Sequence, residues 1–324
     1  MFASPLPRIT RAILLAATLA ITLAGAPLAQ AAAPQLRTST PGWFRMMLGD
    51  FEITALSDGT ADLPVDKLLK QDPAVTTQEL ARAYLKTPLE TSVNGYLINT
   101  GKRLVLVDTG AGALFGPTLG RLAANLAASG YRAADVDDIL ITHMHGDHIG
   151  GLVANAASVF PNAVVHADRR DSEYWLSQAK LDAAPAESKG AFQGAMASLQ
   201  PYVAAHRFQA FDGTTEIAPG IHAAPTYGHT PGHSVYVIES GGQKLVVAGD
   251  LIHVGAVQWE HPEVTMGFDS DSTAALAQRM RVFDEAARDG ALIAAAHIAF
   301  PGIGHLRKAG QGYQWIPVNF TQFR

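Results

Sequence analysis

The hexapeptide His143-Met144-His145-Gly146-Asp147-His148 crowds three imidazoles and a carboxylate into six consecutive residues. It follows Val136–Thr142, a short apolar run that reads as a strand. Side chains alternate along a strand, so His143 and His145 share a face, while Asp147 and His148 fall in the turn that follows. Burying four such groups without partners is costly, and a pair of metal ions would satisfy all of them. The chain must therefore fold so that this strand end meets further donors.

Three other places have the same layout of a strand, a donor and a nearby glycine or strand end. They are Tyr227-Gly228-His229-Thr230-Pro231-Gly232-His233, Ala248-Gly249-Asp250 and Ala296-His297. Each sets a nitrogen or oxygen donor at the end of a strand, where α/β folds place their sites. The 324 residues include no cysteine, which excludes a disulfide framework, a thiolate nucleophile and sulfur-ligated zinc. Imidazole and carboxylate without sulfur suit zinc first, with manganese, cobalt or iron as the other fitting ions. His166, His206, His222 and His261 match no such layout and read as ordinary structural or surface histidines.

Hydrophobic residues make up 48% of the chain and charged residues 16%, which points to a large buried core rather than a disordered chain. With 24 Lys and Arg against 29 Asp and Glu the net charge is −5, and no basic cluster stands out. Nucleic acid and anionic membrane are therefore not expected partners.

Arg8 and Arg11 precede an apolar run from Ala12 to Leu23, and Ala29-Gln30-Ala31 offers a small-x-small cleavage site. This is the layout of a secretory signal peptide over residues 1–31, with residues 32–40 as a flexible leader. The run is shorter than the ~20 residues that a membrane span needs. Export follows, to the periplasm if the source is Gram-negative.

Residues 41–324 read as one α/β domain. Phe44–Leu63 predicts two short strands around a turn at Ser57-Asp58-Gly59. Ser92–Asn99 and Arg103–Asp108 predict a hairpin through Thr100-Gly101-Lys102, and Leu119–Ala128 a helix stopped at Gly130. A strand at Val164–Ala167 leads into a helix over Arg169–Ala179. Leu181–Gly194 reads as a loop over a site. Further strands are expected at Arg207–Phe211, Ile221–Pro225, Ser234–Glu239, Lys244–Ala248 and Ala291–Ala296, the last after a helix over Ser272–Arg288.

The set His143-x-His145-x-Asp147-His148, His229, Asp250 and His297 resembles the metallo-β-lactamase superfamily, whose fold is an αββα sandwich. That resemblance implies one metal on His143, His145 and His229 and a second on Asp147, His148 and His297, with Asp250 bridging. It implies hydrolysis by a hydroxide shared between the two metals, with Asp147 or Asp250 taking up the proton. Asp108, in Val107-Asp108-Thr109-Gly110, matches a carboxylate that supports the ligands from behind, and His305 is assigned a similar or structural role. β-Lactamases of this fold match less well because they lack the bridging carboxylate. Flavodiiron relatives carry glutamate where His145 stands. What remains is cleavage of a small ester-like bond.

Longer stretches, Leu48–Gly59, Leu114–Gly120 and Phe300–His305, resemble the methyl parathion hydrolase family and its dihydrocoumarin-hydrolysing lactonase relatives. That group includes secreted, homodimeric, dinuclear enzymes. Where the organophosphate hydrolase has arginine, this chain has Leu68, and His253 replaces a leucine after Asp250. The loop around Pro185–Ser188 is one residue shorter, and Met266 and Phe268 are bulkier than their counterparts. These departures resemble the lactonase side of the group. Phe115, Trp175 and Phe192 are further expected wall residues, and His253 is expected to orient substrate or assist a leaving phenolate. The expected substrate is a small uncharged lactone or aryl ester, with weak organophosphate triesterase activity alongside. A dedicated organophosphate triesterase is the alternative. A mononuclear iron oxygenase of the same fold, or a non-catalytic metal binder, would differ in metal count and in oxygen uptake.

Overall fold

The computed structural model describes residues 1, 33, 35–37, 40–320 and 322. Apart from Met1, the expected signal peptide lies outside the described residues, as do residues 32, 34, 38 and 39 of the expected leader. Among the described residues no helix is long and apolar enough to cross a membrane.

Two seven-stranded sheets carry residues 41–320. The first runs, in spatial order, through β1 (Trp43–Leu48), β2 (Phe51–Leu63), β3 (Leu89–Asn99), β4 (Leu104–Val107) and β5 (Asp138–Leu140). A small ribbon of β6 (Val153–Ala154) and β7 (Ala157–Ser158) stands apart, and β8 (Val164–Asp168) and β9 (Phe208–Phe211) complete the sheet. The second sheet takes its strands in chain order: β10 (Thr215–Ala218), β11 (Ile221–Pro225), β12 (Ser234–Ser240), β13 (Gln243–Val247), β14 (Leu292–Ala294), β15 (Ile303–Ala309) and β16 (Gly312–Pro317).

Pairing is antiparallel from β1 to β4 and parallel from β4 through β5 and β8 to β9. In the second sheet only β13 and β14 run parallel. Leu104-Val105-Leu106-Val107 shows why the sheets stack. It is buried on both faces, with Val105 and Val107 in a core shared with Tyr236, Ile238 and Val247 of the other sheet. Leu104 and Leu106 instead pack outward against Leu122, Leu199 and Tyr202 of helices. Helix Ser272–Asp289 covers the second sheet's outer face through Val282, Phe283 and Ala286. The layers are therefore helix, sheet, sheet, helix, the αββα sandwich that the ligand pattern implied.

Several local expectations are corrected. The first turn lies at Gly49-Asp50, and β2 runs unbroken through Ser57-Asp58-Gly59 with a bulge there. The helix expected over Arg169–Ala179 breaks into Arg169–Trp175 and Gln178–Ala183, because the Ser177 hydroxyl caps the second piece at Lys180 N. The expected loop Leu181–Gly194 is mostly helix. Lys189–Ala204 buries Phe192, Ala195, Leu199 and Tyr202 at helical spacing behind an Ala- and Gly-rich composition. Helix Pro73–Arg82, capped by Asp72, and the β15–β16 hairpin were not expected.

Candidate metal centre

The donor residues leave the ends of four strands. β5 runs into Thr142-His143, the turn after β11 carries His229, the turn after β13 carries Asp250, and His297 follows β14. A four-residue helix, Gly146–Ile149, turns Asp147 and His148 back toward the same point.

Three overlapping groups of donors form there, the third being Asp250, His253 and His297, in which Asp250 Oδ2 lies 3.1 Å from His253 Nε2 and 3.2 Å from His297 Nε2. His143 Nε2 and His229 Nε2 lie 3.0 and 3.1 Å from His145 Nδ1, and Asp250 Oδ2 lies 3.2 Å from His229 Nε2 and 3.6 Å from His143 Nε2. In the second group Asp147 Oδ2 is 3.6 Å from His148 Nε2 and 3.4 Å from His297 Nε2. Asp250 Oδ1 is 3.2 and 3.1 Å from those same two nitrogens. Donors about 2.0–2.2 Å from a tetrahedral ion stand roughly 3.3–3.6 Å from one another, and the separations here, from 3.0 to 3.6 Å, come close to that spacing. His148 Nε2 and Asp250 Oδ1 are buried with no hydrogen bond to either, the state of atoms whose partner is a cation. The donor set thus fits two divalent ions with Asp250 between them.

Groups behind the donors fix ring orientation. His148 Nδ1 donates to Asp108 Oδ2 at 2.8 Å, His229 Nδ1 to Asp269 Oδ1 at 2.9 Å, and His297 Nδ1 to the Ser92 carbonyl at 3.0 Å. His143 Nδ1 faces the Thr142 hydroxyl at 3.1 Å, and that hydroxyl donates to Asp108 Oδ2. Each contact leaves the Nε2 lone pair pointing inward. His233 is not a donor of the centre, because its Nε2 accepts the Asp250 backbone N–H at 3.1 Å. Asp171 accepts Met144 N and Gly232 N, both at 2.7 Å, and so joins the two histidine turns.

Burial pushes the Asp250 carboxyl up, but His297, His148, His253 and His143 around it hold it well below the ordinary range. Asp147 is likewise lowered against its burial by His148 and His297. Burial, reinforced by His229, drops His145 to about 3, so its ring is neutral and its lone pair free. Burial lowers His143 too, whereas Asp250 and the neighbouring carboxylates outweigh burial at His229, raised to about 9, and also raise His148 and His297. Cations entering the centre would therefore displace protons from these three rings.

A cavity of about 580 Å³ opens over these groups. Its floor includes His145, Asp147, Asp250 and His297, and its walls are largely apolar, with no Lys or Arg among the described residues that line it. Of the expected pocket residues, Phe115, His253 and Phe268 line this cavity. The other four lie elsewhere. Trp175 and Phe192 are buried in the core below, their rings 4.8 Å apart, because both sit on inward faces of their helices. Ala191 reaches the cavity in place of Phe192. Leu68 and Met266 pack together in a side cluster with Leu69 and Val257, away from the lining. Asp108 stands where its supporting role was expected. His305 does not, since alternation along β15 turns it outward and exposes it. Asp269, Thr142, Asp171 and His233 were missed as supports. Only His233 had a local signal, at the end of the His229 segment.

Known proteins resemble this chain in sequence and fold. The sequence profile of the Metallo-beta-lactamase superfamily matches residues 89–297. The solved structure of hydrolase AbOPH in the β-lactamase superfamily is 35% identical and superposes with a TM-score of 0.84, covering 88% of this chain and 100% of that one. AidC, a dizinc quorum-quenching lactonase solved with its product N-hexanoyl-L-homoserine, is 27% identical with a TM-score of 0.80, covering 87% and 99%. An N-acyl homoserine lactonase of Bacillus cereus is 25% identical over 205 residues, 57% of this chain and 74% of its own length.

Proposed function

The chain belongs to the metallo-β-lactamase superfamily and is a metal-dependent hydrolase, and from that premise we propose that it is a dinuclear lactonase that also cleaves aryl esters. One observation carries this reading: Asp250 stands between two donor groups, its Oδ1 3.2 Å from His148 Nε2 and its Oδ2 3.2 Å from His229 Nε2, with His297 Nε2 close to both oxygens. A bridging carboxylate suits two ions a few ångströms apart, and zinc is the ion its donors and the dizinc lactonase AidC favour.

Two bound divalent ions would supply Lewis acidity and lower the pKa of water at the site to about 7. His143, His145, His229 and Asp250 would hold one ion, and Asp147, His148, His297 and Asp250 the other. Asp147 is the most solvent-accessible of the carboxylates and borders the cavity, which suits it to take up the proton released in attack. His253 Nε2 lies 3.1 Å from Asp250 Oδ2 and borders the cavity, placed to steady the carboxylate and to meet a leaving oxygen. The apolar, cation-free wall fits an uncharged substrate with an apolar arm.

Several finer readings go with this one. They are export after cleavage near Ala31, a homodimeric state, and kinship with the methyl parathion hydrolase family. The test is kcat/KM of the metal-loaded protein on dihydrocoumarin and methyl parathion, measured side by side with a metal count. Two metals per chain and a lactone preference of about a hundredfold or more support the reading. A phosphotriester preference would make it a dedicated organophosphate triesterase. One metal with oxygen uptake would make it an oxygenase.

A further inference from the structure

The bulge in β2 has a consequence for the cavity that the metal donors do not explain. Pairing with β3 steps from Ser57↔Asn94 to Gly59↔Val93, so Asp58 is the extra residue and its side chain leaves the strand's alternation. It turns inward and is only 1% exposed. Its Oδ2 accepts the backbone N–H groups of both Ala111 and Gly120 at 2.9 Å, and its Oδ1 accepts that of Leu122 at 2.9 Å. Its carbonyl takes Arg121 N at 3.0 Å. One carboxylate thus clips together the two ends of residues 111–120. Gly59 completes the clasp: its φ is +124°, and a Cβ there would stand 2.0 Å from the Thr118 carbonyl that lies against it.

Between these anchors the loop leaves the core. Leu114 and Phe115 are 45% and 56% exposed, large apolar side chains held at the surface. Phe115 lies over Gly146, the residue between His145 and Asp147, so closely that a Cβ on Gly146 would come within 2.9 Å of its ring. Phe115, Thr118 and Leu119 all line the cavity. Burying a carboxylate costs several kcal/mol before its hydrogen bonds are counted. Here that cost secures a loop whose tip is exposed beside the cavity, so the gain lies in where the loop stands over the metal-facing floor.

We propose that Asp58 is a positioning residue that sets how closely Phe115 and Leu119 close over the cavity, and so which substrates fit, without taking part in metal binding. The inference rests on the reading of this cavity as a lactone site. It assigns Asp58 to selectivity and Asp250 to chemistry.

The test is Asp58→Asn in the metal-loaded full chain, which keeps volume but offers only one acceptor oxygen. Amide exchange at Ala111, Gly120 and Leu122 should speed up about tenfold or more, while residues 143–148 and the metal count stay as in the wild type. KM for a long-chain γ-lactone should rise about fivefold with kcat within about twofold, and KM for γ-butyrolactone should move less than about twofold. In a Phe115→Ala background the same change should add little, because both act through one loop. Unchanged exchange at 111–122, equal effects on both lactones, or loss of metal would overturn the proposal. Should the variant not fold, the wild type decides. Its Ala111, Gly120 and Leu122 amides must be protected while Phe115 and Gly116 exchange freely, and equal rates would overturn it. A wild type that cleaves neither lactone sinks the proposed function, while the exchange pattern still judges the clasp.

Discussion

His148 Nε2 and Asp250 Oδ1 face each other at 3.2 Å, both buried and neither in a hydrogen bond. Such a pair is expensive without a shared cation, because each atom has given up water for nothing. Chelation should therefore lower Tm, and zinc at about a hundredfold excess over its Kd should restore about 2.7 kcal/mol. Asp250→Ala should leave fewer than two metals per chain by elemental analysis and cut kcat/KM by about a thousandfold or more. An active, fully metallated Asp250→Ala protein would sink the bridging assignment.

Asp108 acts on the metals through His148. Its Oδ2 accepts His148 Nδ1–H at 2.8 Å and the Thr142 hydroxyl at 2.8 Å, and its Oδ1 accepts Thr142 N at 2.9 Å. Asp108→Asn removes the charge behind the ring and must turn an N–H₂ toward one of these donors. Zinc affinity, measured by competition with a chromophoric chelator, should fall about 10- to 100-fold while the fold persists. Unchanged affinity would mean that the ring is oriented by packing alone.

The donors were legible because each carries its own local signature, a strand followed by His or Asp at a turn, and four of them fall within six residues. The layered fold was legible for a related reason: runs such as Leu104–Val107 bury both faces and leave little choice of environment. Apart from Asp108, the supports were not. Asp269, Asp171 and Asp58 are lone carboxylates in ordinary surroundings, and the site groups they support, His229, Met144 and Ala111, lie 40, 27 and 53 residues away along the chain. Aromatic residues misled for the opposite reason. Trp175 and Phe192 have the chemistry of a pocket wall and the helical spacing of a core, and packing took them into the core.

Phe268 also lines the cavity. It is 42% exposed, and its ring centroid stands 6.0 Å from that of His253. A ring at this place should crowd a tetrahedral phosphorus centre more than a flat lactone. Phe268→Ala should raise kcat/KM for methyl parathion about five- to tenfold and change that for dihydrocoumarin less than about threefold. Parallel changes in both would show that this ring does not discriminate between them.

Asp171 makes stability depend on pH in a direction opposite to that of an ion-paired carboxylate. It is buried, and burial raises its carboxyl from 3.8 to about 6 even though Met144 N and Gly232 N donate to it. The folded form therefore holds the proton more tightly than the unfolded chain. Its stabilising contribution is complete below the unfolded value of 3.8 and is lost as pH rises through about 6. Asp171→Asn cannot titrate, so the difference between the two proteins isolates this group. From about pH 7 to about pH 5 the wild type should gain on the variant by roughly 1.4 kcal/mol, one pKa unit of differential protonation. Urea midpoints on chelated protein keep metal release at low pH out of the comparison. Parallel curves for the two proteins would mean that the carboxyl joining the histidine turns stays ionised throughout, held by its two backbone donors against the cost of burial.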